Sequence, residues 1–308
     1  MTEKKIASDN CVFAFKKGLE PALKIKSGSV VTLITRDCFS NQLTGNDDRI
    51  EDMDWDRINP ATGPVYIEEA EPGDILKINI IDIKLADQAV MITAPGEGVL
   101  GHRYKESKTK ILPIKNDKVE FSPGRVYDIE PMVGVIGVAP ANDEEISTGT
   151  PGRHGGNMDC KLIRKRAALY LPVNTPGALL AAGDMHALMG DGEIVVCGAE
   201  VSGEVKLKIE VLKNRAFPLP LVENSEVIAT IASAKTLDEA VDQATEKMAD
   251  LLVDNFGFDI HEAGMLLSIV GNAEICQVVD PLKTARFSLT KSELNLSDWQ
   301  QLTSAAIK

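Results

Sequence analysis

The sequence predicts a mainly β protein, with a β-sandwich or barrel body over residues 1–220 and a smaller α/β portion over 221–308 packed on it. Three observations carry this. Runs of β-branched and apolar residues fill much of the first two-thirds of the chain, each bounded by Gly, Pro, Asn or Asp, as strands separated by turns are. In Lys206-Leu207-Lys208-Ile209-Glu210-Val211, apolar and charged residues alternate strictly, which marks a strand buried on one face. After Pro220 the apolar period changes to that of a helix.

Strands are expected at 29–34, 74–83, 134–139, 167–173 and 193–212. Lys77-Ile78-Asn79-Ile80 repeats the alternation within the second of these. Many strands spaced by turn signals suit a sandwich or barrel. Thr236-Leu237-Asp238-Glu239 is a capping box: the Thr236 hydroxyl accepts from the Glu239 backbone N–H, and the Glu239 carboxylate reaches back. Leu237, Ala240, Val241, Ala244, Met248, Leu251 and Leu252 then form one stripe, and Asn255-Phe256-Gly257 closes the helix. A second helix is expected over 260–269, a strand over 274–279 ending at Pro281, and a last amphipathic helix over 299–307.

Composition narrows the function. A net charge of −13, with no stripe of Lys and Arg among aromatics, argues against a nucleic-acid partner. The densest basic run, Lys161, Arg164, Lys165 and Arg166, reads as a solvated face. No apolar run approaches the ~20 residues of a membrane span. The opening residues, Met1 to Ile6, lack the apolar stretch of a signal peptide. A cytoplasmic location without a membrane partner is expected. Cys11, Cys38, Cys160, Cys197 and Cys276 are scattered and form no C-x-x-C pair, so free buried thiols are expected rather than a zinc finger.

Two loops carry the chemistry. In Gly152-Arg153-His154-Gly155-Gly156-Asn157-Met158-Asp159, glycines let the backbone fold back so that polar side chains converge. Gly183-Asp184-Met185-His186-Ala187-Leu188-Met189-Gly190-Asp191-Gly192-Glu193 has the same character. The chain has four histidines, and these loops hold two of them, which points to an active site. Imidazole and carboxylate together suit zinc and other borderline divalent ions. Such an ion activates water and polarises a carbonyl oxygen. Asp191 and Glu193 are available as the base, and Asn157 can donate to a developing oxyanion. Ordinary turns are also built of Gly, Asn and Asp, and a carboxylate-rich set could hold calcium structurally. Asp37 ends a strand-like run, where functional side chains emerge. His102 has no acid beside it, and His261 lies at a helix start, exposed or capping. A Cys–His pairing would give a thiolate nucleophile, but Cys160 follows Asp159 directly and so faces the opposite side of an extended strand.

Three stretches are similar to the acetamidase/formamidase family. They are Asn59-Pro60-Ala61-Thr62-Gly63-Pro64 running on to Pro72-Gly73-Asp74-Ile75-Leu76, then Pro151 to Asp159, then Gly183 to Glu193. The resemblance implies hydrolysis of a small amide such as formamide or acetamide to a carboxylic acid and ammonia. It also implies a jelly-roll-like β-sandwich body, a divalent metal, and a homo-oligomer (dimer or higher). The resemblance does not say which residues bind the metal; our own assignment from the residues is a metal, zinc foremost and calcium the alternative, held by His154, Asp159 and His186 with Asp37 or Asp184. Asp191 or Glu193 is then the base, and Asn157 steadies the oxyanion. The chain departs from the family at Met189, where a Gln is usual; a donor and an acceptor are lost, which favours a less polar acyl group. The competing readings are a non-catalytic β-sandwich module with structural calcium and a hydrolase of another C–N bond.

Overall fold

The computed structural model describes residues 4–304, with the backbone alone at residue 296. It is mainly β, as expected, and two large sheets dominate it. The first has nine strands. In spatial order they are Lys4–Ile6, Ser29–Thr35, Gly203–Leu212, Ile75–Leu85, Ala168–Pro172, Leu221–Glu223, Val227–Ala234, Lys283–Thr290 and Asn272–Gln277. This sheet runs across residue 220 without interruption, because Leu221–Glu223 pairs with Ala168–Pro172.

The second sheet has eleven strands. At its centre Leu180–His186 lies between Met132–Gly137 on one side and Glu200–Val201 and Ala61–Ile67 on the other. Val31, Leu33, Ile78 and Leu207 of the first sheet share one core with Val133, Ile136, Leu180 and Val201 of the second. That shared core makes the body a sandwich. A second core lies on the outer face of the nine-stranded sheet, where Tyr170, Leu221, Ile228 and Leu289 pack against Ala244, Met248, Leu251 and Leu267 of the helices.

The alternation read from residues 206–211 places Val205, Leu207 and Ile209 in the core. The helix Leu237–Phe256 starts on the expected capping box, with Glu239 N donating to Thr236 Oγ1 at 3.2 Å and Thr236 N to Glu239 Oε2 at 3.3 Å. Gly257 ends it in the left-handed conformation, φ 73°. The second helix is Ile260–Val270, where Asp259 caps the N-terminus and His261 is exposed. The last is Leu296–Thr303; residues 305–307 of the helix expected over 299–307 lie outside the described residues. Among the described residues, no helix is long and apolar enough to cross a membrane.

One element differs from expectation. Residues 193–212 do not form a single strand; only Glu200–Val201 and Gly203–Leu212 are extended. The preceding stretch turns instead. Gly192, Glu193 and Val196 have φ of 102°, 47° and 94°, outside the range of any strand. Apolar composition alone did not reveal this backbone.

Candidate active site

The central strand Leu180–His186 brings the site together. His186 is paired across the sheet with Glu200, so their side chains stand on the same face. On the other side, the register that sets Val133 against Met185 and Val135 against Gly183 places Gly134 opposite Asp184. The lack of a side chain at Gly134 is required by space. A Cβ there would run into Asp159 Oδ1 and Asp184 Oδ2 and would lie 3.0 Å from the Asp184 carbonyl oxygen. Gly198 serves His186 in the same way, since a Cβ there would lie 2.8 Å from Nδ1. Asp159, Asp184 and Glu193 adopt left-handed backbone, with φ of 44°, 52° and 47°. That conformation costs a non-glycine residue about 1–3 kcal/mol and collects at functional sites.

The result is a buried polar cluster. His186 Nε2 lies 3.0 Å from Glu200 Oε1, 3.5 Å from Asp184 Oδ1, 3.7 Å from Asp159 Oδ1 and 3.8 Å from Glu193 Oε1. Asp159, His186 and Glu193 offer one set of converging ligand atoms, and Cys38, Asp184 and Glu200 a second. Both oxygens of Asp159, both ring nitrogens of His186 and Glu200 Oε2 are buried without a hydrogen bond. The backbone N–H of Gly198 donates to Glu200 Oε1 at 2.8 Å.

Four buried carboxyl groups around one imidazole cannot all be ionised without a compensating cation. Burial, with the Asp184 charge beside it, pushes Asp159 up to about 7. Burial pushes Glu200 up to about 8, with His186 opposing, and drives Glu193 well above the usual carboxylate range, with Asp159 adding to it. For Asp184 burial acts upward too, but His186 outweighs it and holds the group low. His186 shows the converse: burial lowers it, and the charges of Glu200 and Asp184 raise it well above its ordinary value. Orphaned carboxylate oxygens, an orphaned imidazole and the gap left by Gly134 together fit a divalent cation.

A cavity of ≈ 640 Å³ opens on this cluster, and Asn157, Asp184, Glu193, Glu200 and Asp280 line it. The structure brings five of the residues singled out in the sequence to this place: Asn157, Asp159, Asp184, His186 and Glu193. The other three stand apart from the converging ligand atoms. His154 Nε2 is buried and lacks a hydrogen bond, and its ring meets Phe15 edge-on at 5.2 Å; burial pushes it down to about 4. Asp37 Oδ1 accepts from the backbone N–H of Asn41 at 2.7 Å, and burial raises it to about 6, with Asp184 adding its charge. Asp191 is engaged by Arg286 through two hydrogen bonds of 2.9 Å and by Lys161 at 3.4 Å.

Sequence reasoning missed Glu200 and Asp280. Glu200 is the single acid in the apolar run from Val195 to Val201, and a lone carboxylate in such a run is a usable sign of a buried functional group. Asp280 precedes Pro281 and reads as an ordinary turn. Met189 lines a separate apolar cavity with Met91, Leu112 and Phe121, which shares only Glu193 with the larger one. Neither Cys38 nor Cys160 is a ready nucleophile. Burial and the acids around Cys38 push its thiol well up, and Cys160 packs into the core.

The acetamidase/formamidase family model matches residues 3–148 and 141–285. The chain belongs to the acetamidase/formamidase family. An acetamidase of Bacillus halodurans is 47% identical, with a TM-score of 0.93 over 97% of this chain and 100% of that one. A predicted acetamidase/formamidase of Thermoanaerobacter tengcongensis is 48% identical, with a TM-score of 0.92 over 95% of this chain and 97% of that one. A formamidase of Methylophilus methylotrophus is 25% identical over 62% of this chain and 61% of its own length. The chain spans 61–63% of the length of the curated relatives it matches.

Proposed function

We propose that the chain hydrolyses a primary amide of the formamide/acetamide kind to a carboxylic acid and ammonia. Membership of the family supports the reaction class. The observation that carries the reading is the cluster itself: four carboxylates within 3.8 Å of one buried imidazole nitrogen, facing a cavity. Asp159, Asp184 and His186 would hold a divalent cation. When bound, such an ion lowers the pKa of water and polarises a carbonyl oxygen. An imidazole among the donors favours zinc over calcium, which prefers oxygen throughout.

Glu193 takes the part of base. Its carboxyl group lines the cavity, with Oε1 3.8 Å from His186 Nε2, where it can accept a proton from the attacking water and hand it to the departing nitrogen. Asp191 is the alternative base and is less suited, because Arg286 holds it low. Asn157 can donate its side-chain amide to the tetrahedral oxyanion. Location in the cytoplasm and assembly into a homo-oligomer are companion expectations, and sedimentation equilibrium tests the second.

The test is ammonia release from formamide, acetamide and propionamide by protein with and without chelator treatment. Turnover that stops on metal removal and returns with zinc is expected. Full turnover in metal-stripped protein would refute the metal-dependent reading. Calcium alone, with no hydrolysis of any amide, would favour a binding module instead.

A further inference from the structure

The cavity is much larger than acetamide requires. Acetamide has four heavy atoms and, at about 30 Å³ for each (the share of one liquid water), takes about 120 Å³. In a cavity of ≈ 640 Å³, about four-fifths of the space would remain. Volumes of this size are typical of sites that enclose a substantially larger molecule.

The lining is divided in character. One part is the carboxylate cluster with Asn157. The rest is mixed: Phe39, Trp55, Ile58, Val196, Val279 and Pro281 give it apolar surface, interleaved with polar and charged residues such as Glu97 and Lys283. Trp55 is 46% exposed, an indole left facing solvent on the lining of a cavity. It sits on the short turn Trp55–Arg57, fixed where the Asp54 carboxylate accepts from Asp56 N at 3.1 Å. Neither the cation nor the proton transfers described above use Trp55. A rigid aromatic side chain presented in this way gains by covering an apolar group of a ligand.

We propose that, among the primary amides this reaction covers, the site favours those with a bulky apolar acyl group, aryl or branched alkyl, packed against Trp55 and Ile58 with the carbonyl turned to the carboxylate cluster. This rests on the amide-hydrolysis reading. The bulk lies on the acyl side because ammonia is the leaving group in that reaction. The water oxygen bonds to the carbonyl carbon, the C–N bond breaks, and one water proton passes to nitrogen while the other stays with the acid, giving the carboxylic acid and ammonia.

The experiment measures ammonia release from acetamide, 3-methylbutanamide and phenylacetamide by the wild-type enzyme and by Trp55→Ala and Ile58→Ala. In the wild type, kcat/KM for phenylacetamide exceeds that for acetamide by at least about tenfold, the scale on which a fitted apolar pocket discriminates. In each variant the ratio of the two falls by at least about fivefold, mostly through KM, as expected for lost uniform binding. A wild type that prefers acetamide, or a ratio unmoved in both folded variants, overturns the proposal and leaves amide hydrolysis standing. Ammonia from none of the three, nor from formamide, sinks the hydrolysis reading instead. Calorimetric titration with phenylacetate then decides the pocket: binding that weakens at least about fivefold in Trp55→Ala supports it, and no binding to the wild type overturns it.

Discussion

Gly134→Ala is the most direct probe of the cluster. The new methyl group would collide with Asp159 Oδ1 and Asp184 Oδ2, side chains that come from separate parts of the chain. To restore ordinary contact, both carboxylates must retreat by about 1 Å, a displacement that costs about a hundredfold in rate when it misplaces catalytic groups. If the strands move instead, overpacking costs about 1–3 kcal/mol. At about 2–4 °C per kcal/mol, the scale for large domains, Tm then falls by less than about 12 °C. The assays are metal content after dialysis, ammonia release and thermal unfolding of the same preparation. Expected are a folded protein, at least about a hundredfold less ammonia release and reduced metal content. A variant with wild-type metal content and turnover would refute the claim that these two carboxylates build the site around Gly134.

Three further outcomes are expected. Glu193→Gln lowers kcat by about 10²–10⁴, the usual contribution of a general base. Asp191→Asn lowers stability by about 1–2 kcal/mol, a charge-assisted bond to Arg286 discounted because Asp191 is 36% exposed; a loss of kcat as large as in Glu193→Gln, at unchanged stability, would make Asp191 the base. His154 gives the third, seen as the wild-type minus His154→Phe difference in urea unfolding between pH 4 and 7. Its folded value of about 4 lies below the unfolded 6.5, so the unfolded chain binds the proton first. Its contribution is therefore present above pH 6.5 and is lost as pH falls toward 4, by about 3 kcal/mol in all. A difference that does not change with pH would show that His154 is not a buried neutral imidazole.

Local patterns made much of the fold legible. The alternation at residues 206–211 and the capping box at Thr236 are short-range signals, and the structure realises both. The cluster was half legible. Glycine-hinged loops marked Asn157, Asp159, Asp184, His186 and Glu193, but which of their side chains converge depends on strand register. That register sets Glu200 beside His186 and Gly134 opposite Asp184, and neither pairing is written in local sequence. His154 shows the opposite failure. It has the residue type and loop setting of a ligand, yet its ring packs on Phe15.

The nine-stranded sheet has a practical consequence for anyone shortening this protein. Ending the chain near residue 220 would strip Ala168–Pro172 of a neighbour and bare the apolar surface around Tyr170, inviting aggregation at the raw edge. It would also remove Arg286, which clamps Asp191, and the Cys276 carbonyl, which anchors the Gly192 amide. The turn presenting Glu193 would lose both tethers. The helical end of the molecule thus acts as a brace for the reactive loop, and the two halves stand or fall together.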